Sequence, residues 1–321
     1  MNADVLERVR AIGSRSLHWM YDHARDLDTP PTDTVVDVDD PGGAYKPLGE
    51  TALAASLVLR EKVAGPDDLA AARCLVDFAW GRLREGDFLY ERQLGHNLLT
   101  DPLETYAHFV RADVRHAPMD ALLAHLFDLR STRAVEMPPH RRLAVADARR
   151  VVGLPDSPDW AALTAHTWVG ARPEPWAIDW MTGYHLTHTV FHVTDWGARP
   201  ELLPDEIVEY LRMWLPVWVD VWQEVSQFDL VGELLIADAC LAEPACDAQG
   251  WERLEEAQRE DGLLPRDADP VDEDERRAFR DHEHTAVVAI VASTTTLARS
   301  LDASPTSPAS PAASPMSPMS A

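Results

Sequence analysis

Apolar residues recur along this chain at helical spacing rather than at strand spacing. Val5, Val9 and Ile12 fall about one turn apart near the start of the chain, and later segments repeat this period. Runs that alternate apolar and polar residues between turns are nearly absent. The pattern predicts an all-α protein, built as an array of helical hairpins. Besides a histidine-rich helix, the predicted helices are 3–25, 46–63, 69–83, 101–109, 119–129, 140–152, 159–168, 205–223, 228–241, 251–260 and 283–301.

The histidine-rich helix lies within residues 184–197 and carries four polar side chains on one stripe. At about 100° per residue, these four side chains fall within an arc of roughly 80°. Gly197 and Pro200 predict the end of this helix. The stripe faces either water or a polar cavity, and the sequence leaves both interpretations open. Its members are His185, His188, His192 and Asp195.

A second helix carries two acidic residues, Asp229 and Glu233, on one face of an otherwise apolar segment. Carboxylates four residues apart repel each other, and a buried helix accommodates them only at a free-energy cost. Such a pair suits general acid/base chemistry, with the two carboxylates as base and acid. The structural alternative is that Asp229 caps the helix and Glu233 pairs with an arginine.

Residues 251–265 read WERLEEAQREDGLLP, which has the form W-x-x-L-x-x-x-Q-x-x-D-G-x-x-P. This segment resembles the repeat of α/α-toroid proteins, which include protein prenyltransferase β subunits and squalene and terpene cyclases. The resemblance extends over about residues 228–300. It implies a toroid, complete or incomplete, whose inner helices line a central cavity.

The following segment, DHEHTAVVAI, is similar to the part of prenyltransferase β subunits in which a histidine before a threonine binds zinc. The resemblance transfers this role to His284. Asp238-Ala239-Cys240 has the letters of the family's D-x-C motif, but residues two apart on a helix point about 160° from each other. When the ends of the helix 228–241 are aligned with those of the family's helix instead, Asp229 is retained and Leu230 stands where the family has the zinc-binding cysteine. The sequence leaves the cofactor unknown: no cofactor is the leading interpretation, and the alternative is zinc held by Asp229 and His284.

Acidic residues outnumber basic ones by 54 to 29, giving a net charge of −25. This charge argues against nucleic acid or an anionic membrane as a partner. Lys46 and Lys62 are the only lysines, a bias typical of GC-rich bacterial genomes. The three cysteines form no paired framework, no apolar run could span a membrane, and the first residues lack the apolar core of a signal peptide. We therefore predict a soluble, cytoplasmic protein.

Two segments differ in composition from the rest. Residues 29–43 form a Pro/Gly-rich linker whose run Asp37-Val38-Asp39-Asp40 has the letters of the class II cyclase D-x-D-D motif. Because the run lies in a linker, we interpret it as a solvated loop. Residues 302–321 contain five Ser-Pro steps and are predicted to be disordered, which leaves 1–301 as one domain.

The predicted function is that of a small-molecule enzyme of bacterial secondary metabolism, as in antibiotic biosynthesis. The reaction would be cyclisation, intramolecular displacement or group transfer, a step that rests on the toroid resemblance. Two alternatives stay open: a non-catalytic acidic scaffold with a protein partner, and a zinc-dependent, prenyltransferase-like transferase. The predicted catalytic residues are Asp229, Glu233, His284 and His188, and the predicted substrate-binding residues are His185, His192, Asp195, Tyr184 and Trp180.

Overall fold

A computed structural model describes residues 2–27, 45–155, 157–246 and 248–302. Within these ranges the chain is helical and contains no strand, which confirms the predicted class. None of the described helices is long and apolar enough to cross a membrane. The acidic run 37–40 and residues 303–321 of the tail lie outside the described residues.

The described residues form fourteen α-helices. They are α1 (Ala3–His23), α2 (Tyr45–Glu61), α3 (Pro66–Arg82), α4 (Asp87–Gly95), α5 (Asp101–Arg111), α6 (Ala117–Asp128), α7 (Arg130–Arg133), α8 (Pro139–Val152), α9 (Trp160–Ala165), α10 (Trp180–Thr194), α11 (Asp205–Glu224), α12 (Phe228–Ala239), α13 (Gln249–Ala257) and α14 (Glu275–Asp302).

Local sequence sets where several of these helices begin and end. The Asn2 side chain accepts a hydrogen bond from the backbone N–H of Val5 at 2.9 Å and caps α1. Asp179 and Thr182 form a reciprocal capping box at the start of α10, with side chain to backbone distances of 2.7 and 2.8 Å. Gly153 ends α8 with a φ of +87°, a conformation that favours glycine.

Six helices contact one another in a closed circuit, and we call them the circuit helices. α2 packs against α5, α5 against α8, α8 against α10, α10 against α12, α12 against α14, and α14 against α2. Other helices pack against members of the circuit: α1 on α14, α3 on α2, α4 on α5, α9 on α8 and α10, and α11 on α12. The circuit places the histidine stripe of α10 beside the carboxylate pair of α12.

Every residue of α12 is buried. A Cβ added to Gly232 would lie 2.5 Å from Cγ1 of Val288, so glycine allows α12 and α14 to approach closely. A Cβ added to Gly183 of α10 would lie 3.2 Å from Leu230. The two carboxylates of α12 are therefore held at short distance from side chains on both neighbouring helices.

Candidate active site

The carboxylates of Asp229 and Glu233 are only 3% and 2% exposed. Hydroxyl groups from the neighbouring circuit helices bind both of them. Tyr184 donates a hydrogen bond of 2.5 Å to Asp229 Oδ2, and Thr285 donates one of 3.0 Å to Oδ1. Thr187 donates a hydrogen bond to Glu233. Hydroxyl groups thus take the place of the arginine that the structural alternative requires.

The imidazole of His284, on α14, lies between three carboxylates. Its Nε2 is 3.8 Å from Asp229 Oδ2 and 3.7 Å from Glu233 Oε1. Its Nδ1 is 3.2 Å from Glu50 Oε2, without the alignment of a hydrogen bond. Burial alone would lower the pKa of His284, but the Glu50 and Asp229 charges raise it well above 6.5. The imidazolium is therefore the dominant form of His284 at neutral pH.

Glu50 reaches the site from α2, and the Lys46 Nζ atom is 3.5 Å from its Oε1. Burial would raise the pKa of Glu50, but His284 and Lys46 lower it to about 2. The opposite holds for Glu283, since burial and the Glu50 charge raise its pKa to about 7. The site therefore keeps Glu50 ionised while Glu283 titrates near neutral pH.

His188, on α10, is the neutral counterpart of His284. Its Nδ1 is 2.8 Å from the carbonyl oxygen of Tyr184, so the Nδ1–H donates to that oxygen and Nε2 is left as an acceptor. Burial lowers the pKa of His188, even though Glu233 Oε2 lies 3.6 Å from Nδ1. The side chain is 36% exposed, so a bound molecule can reach the ring.

The other two histidines of the stripe lie towards α8. His185 stacks on His140, with ring centroids 4.3 Å apart, and burial together with His185 lowers the pKa of His140 to about 4. The Nδ1 of His192 is 3.7 Å from Asp147 Oδ2, and its ring is 6.1 Å from that of His188. Of the three stripe histidines, His188 is the one that lies beside the carboxylate pair.

Asp195 does not continue the stripe, because α10 ends at Thr194 and Asp195 has a left-handed φ of 50°. Its carboxylate lies in a cluster of arginines instead. Oδ1 of Asp195 is 3.2 Å from Arg60, 3.3 Å from Arg111 and 2.8 Å from Arg150. The ion pairs tie the end of α10 to α2, α5 and α8. The contact of Asp195 with a substrate stays a prediction.

Aromatic side chains project at the start of α10. Trp180 is 58% exposed, and its ring lies edge-on to Tyr184 at a centroid distance of 6.2 Å. Trp176 is 80% exposed. Burial and the Asp229 charge raise the pKa of Tyr184, so its phenol stays protonated. The exposed indoles lie close to the half-buried phenol of Tyr184 in the chain and are accessible to an incoming molecule.

The residues implied for zinc by the toroid resemblance do not fit a metal site. Both oxygens of Asp229 already accept hydroxyl hydrogen bonds. Asp238 accepts a backbone hydrogen bond of 2.7 Å from Ala245, while Cys240 packs beside Gly197. Within the described ranges, no group of three or more His, Cys, Asp or Glu residues is arranged to hold a metal ion. We therefore assign no step to a metal.

Residue spacing alone does not mark two residues of the site, Glu50 and Thr187. Glu50 interrupts the apolar segment 48–58 of α2 in the same way that Glu233 interrupts α12. Glu50 has no second carboxylate four residues away, so the spacing that identified Asp229 and Glu233 does not mark it. Thr187 is adjacent to the stripe, and no spacing pattern marks a hydroxyl group that donates to another helix.

The fold and the site define an all-helical protein with a buried cluster of carboxylates and imidazoles. A family described as a domain of unknown function (DUF6895) matches residues 13–294. The chain belongs to this family, and the match includes every residue of the cluster. No curated protein and no solved structure matches the chain.

Proposed function

We propose that this protein is a small-molecule enzyme that uses acid/base chemistry among α2, α10, α12 and α14. The proposed reaction is a cyclisation, an intramolecular displacement or a group transfer. In its acid/base-catalysed form, each of these reactions removes a proton from one atom of the substrate and delivers a proton to another. The proposal therefore requires a base and an acid that share one site.

The position of Glu233 is the observation that carries this proposal. Its Oε2 is 3.6 Å from His188 Nδ1, and its Oε1 is 3.7 Å from His284 Nε2. The pKa values of the two histidines are shifted in opposite directions, downwards for His188 and upwards for His284. Titratable neighbours whose pKa values are pushed apart are typical of an acid/base pair.

In the proposed reaction, Nε2 of neutral His188 accepts a proton from the substrate. The His284 imidazolium donates a proton to the leaving atom or, in a cyclisation by addition, to the atom that takes up the displaced electron pair. His188 ends as the cation and His284 as the neutral form, and exchange with solvent restores both. Glu233 stabilises the positive charge as it forms on His188.

We propose that the imidazoles, rather than the carboxylates, transfer the protons. The oxygens of Asp229 are occupied by Tyr184 and Thr285, and the side chain is almost wholly buried. We assign Asp229 and Glu233 the role of orienting the two histidines and stabilising their positive charge. Glu50 has the same role, on the opposite side of His284.

We further propose that the circuit helices form the inner layer of an α/α toroid. Their closed order of contacts supports this arrangement. In the segment that resembles the toroid repeat, α13 buries Trp251 and Leu254. Gln258 then donates a hydrogen bond of 3.1 Å to the carbonyl of Gly262, whose φ is +96° at the turn towards α14.

Consumption of small molecules from a mixture tests the proposed activity. Purified protein would be incubated with a small-molecule extract of bacterial cells, and untargeted mass spectrometry would record which compounds disappear. We expect the wild type to consume at least one compound that His188→Gln and His284→Gln leave intact. His125→Gln is the matched control, because His125 is exposed on α6, away from the site.

Circular dichroism spectra would show that each variant is folded. Equal consumption by His188→Gln, His284→Gln and the wild type would show that the two histidines do not act as acid and base. If the wild type consumes nothing, the non-catalytic alternative is favoured.

A role as a partner protein is the second candidate, and an apolar row on α11 supports it. Met213, Val217 and Val221 repeat every four residues and are 66%, 45% and 47% exposed. Contiguous exposed apolar rows are typical of protein interfaces. Under this alternative, Val217→Glu changes the association state in sedimentation velocity, and no compound is consumed by any variant.

A further inference from the structure

A cavity of about 190 Å³ lies apart from the acid/base cluster, between α5, α6 and α8. None of its described lining residues belongs to that cluster. The floor is apolar and consists of buried side chains from α5 and α6. These are Leu103, Leu123, Leu126 and Phe127.

The charge of the cavity is opposite to that of the protein. Its described lining residues include Arg133, Arg142 and Arg149 but no aspartate or glutamate. The chain as a whole carries a net charge of −25. Arg142 forms no ion pair with a described residue, so its guanidinium can pair with a bound anion. A local concentration of arginines on an acidic protein favours a small anion at this place.

The wall of the cavity also contains buried polar atoms that have no hydrogen-bond partner among the described residues. Gln93 is 2% exposed, and its Nε2 donates a hydrogen bond of 3.1 Å to the carbonyl of Leu99. No described group donates to its Oε1, and Thr132 Oγ1 likewise has no described partner. Buried polar atoms are normally satisfied, so these two indicate a ligand with its own hydrogen-bonding groups.

We propose that this cavity binds a small aromatic monocarboxylate. The apolar floor holds the ring, Arg142 and Arg133 bind the carboxylate, and a hydroxyl group on the ring donates to Gln93 Oε1. A cavity of about 150 Å³ accommodates benzene, so the present volume suits one ring with a few further atoms. Drug-sized ligands need pockets of about 300 Å³ or more.

This site is independent of the proposed acid/base reaction. His188→Gln and His284→Gln should leave its affinity unchanged, and variants that lose this affinity should retain turnover at the cluster. The two proposals can therefore fail separately.

Calorimetric titration of the full chain with phenylacetate tests the site, and 2-phenylethanol is the neutral comparison. We expect saturable binding of phenylacetate and binding of 2-phenylethanol that is at least about fivefold weaker. Arg142→Gln should weaken phenylacetate binding by a similar factor. Arg130→Gln is the matched control, since Arg130 is close in the chain but does not line the cavity, and it should bind as the wild type does.

Two further variants test whether the ligand binds inside the cavity. Val145→Phe adds bulk to the lining and should abolish binding. 4-Hydroxyphenylacetate should bind more tightly than phenylacetate to the wild type, and Gln93→Leu should remove that gain. Each variant would first be shown to be folded by its thermal transition.

Several results would overturn the proposal. One is the lack of saturable phenylacetate binding to the wild type. Another is equal affinity for phenylacetate and 2-phenylethanol, which would remove the role of the arginines. Undiminished binding by Val145→Phe would show that the ligand lies elsewhere on the protein.

Discussion

The phenol of Tyr184 donates a hydrogen bond of 2.5 Å to the carboxylate of Asp229, and this contact joins α10 to α12. Both residues are on circuit helices, and the acceptor is almost wholly buried. Burial and the Asp229 charge raise the pKa of Tyr184, so the phenol remains a donor throughout the neutral range. The contact therefore contributes to the stability of the fold as well as to the order of the site.

Tyr184→Phe should lower the free energy of unfolding by about 1–3 kcal/mol, because it leaves a buried carboxylate oxygen without its donor. Urea denaturation at pH 7 measures the change. Tyr210→Phe is the matched control, since the Tyr210 phenol donates to the neutral carbonyl of Pro173 at 2.7 Å. A loss in Tyr184→Phe no larger than in the control would show that the charged acceptor adds nothing.

Glu50→Gln should lower the pKa of His284, because it removes the carboxylate that lies closest to Nδ1. We expect an NMR titration of the histidine side chains to show this fall in the pKa of His284. Glu91→Gln, on the surface beside Arg84, should leave that pKa unchanged. If the pKa of His284 is unchanged in Glu50→Gln, the charges of Asp229 and Glu233 alone keep the His284 imidazole protonated.

Glu283→Gln should increase stability above neutral pH. The folded protein raises the pKa of Glu283 from 4.5 to about 7, so the folded state binds a proton that the unfolded state has already lost. The stability linked to this group is therefore present below pH 4.5 and is lost as the pH rises through about 7. Because a tenfold change in proton affinity corresponds to about 1.4 kcal/mol, the variant should gain up to roughly 3 kcal/mol at pH 8 and little at pH 4.

Chemical denaturation of Glu283→Gln and wild type at pH 4, 6 and 8 measures this difference. A constant difference over the three pH values would contradict the predicted linkage, since the effect would then come from a lost contact. The contact at issue is the hydrogen bond of 2.8 Å from the His284 backbone N–H to the Glu283 carboxylate.

Gly232→Ala should destabilise the protein by about 1–3 kcal/mol, because the new methyl group overlaps Val288 and forces α12 from α14. Thermal unfolding measures the loss, and Val288→Ala in the same chain should recover part of it. Gly81→Ala is the control: no atom lies within 4 Å of the added Cβ in α3, so stability should stay equal or rise. Equal behaviour of the two variants would contradict the close helix contact.

Residue spacing was sufficient to predict the elements that depend on local sequence. The helical period predicts the all-α class. The two carboxylates in the apolar segment 228–236 indicate a buried helix whose acidic groups need polar partners. The structure brings these carboxylates close to His284, which the resemblance to the toroid repeat had singled out. Whether these residues catalyse a reaction remains a prediction.

Spacing was insufficient where backbone geometry or distant helices decide the outcome. Asp195 and Trp196 adopt left-handed φ angles although neither is glycine, so the helix ends before the stripe is complete. The arginines around Asp195 come from α2, α5 and α8, and the partner of His185 comes from α8. Contacts between segments so far apart in the chain leave no periodic signal in either segment.

The complete burial of α12 also determines how the site can move. Local opening of a structure begins where few apolar contacts hold the backbone, and α12 offers no such edge. Its amide hydrogens should therefore exchange with solvent only when the whole domain unfolds. The partly exposed rings of His188 and His284 are therefore where we expect molecules to approach the carboxylates, without displacement of the helix that carries them.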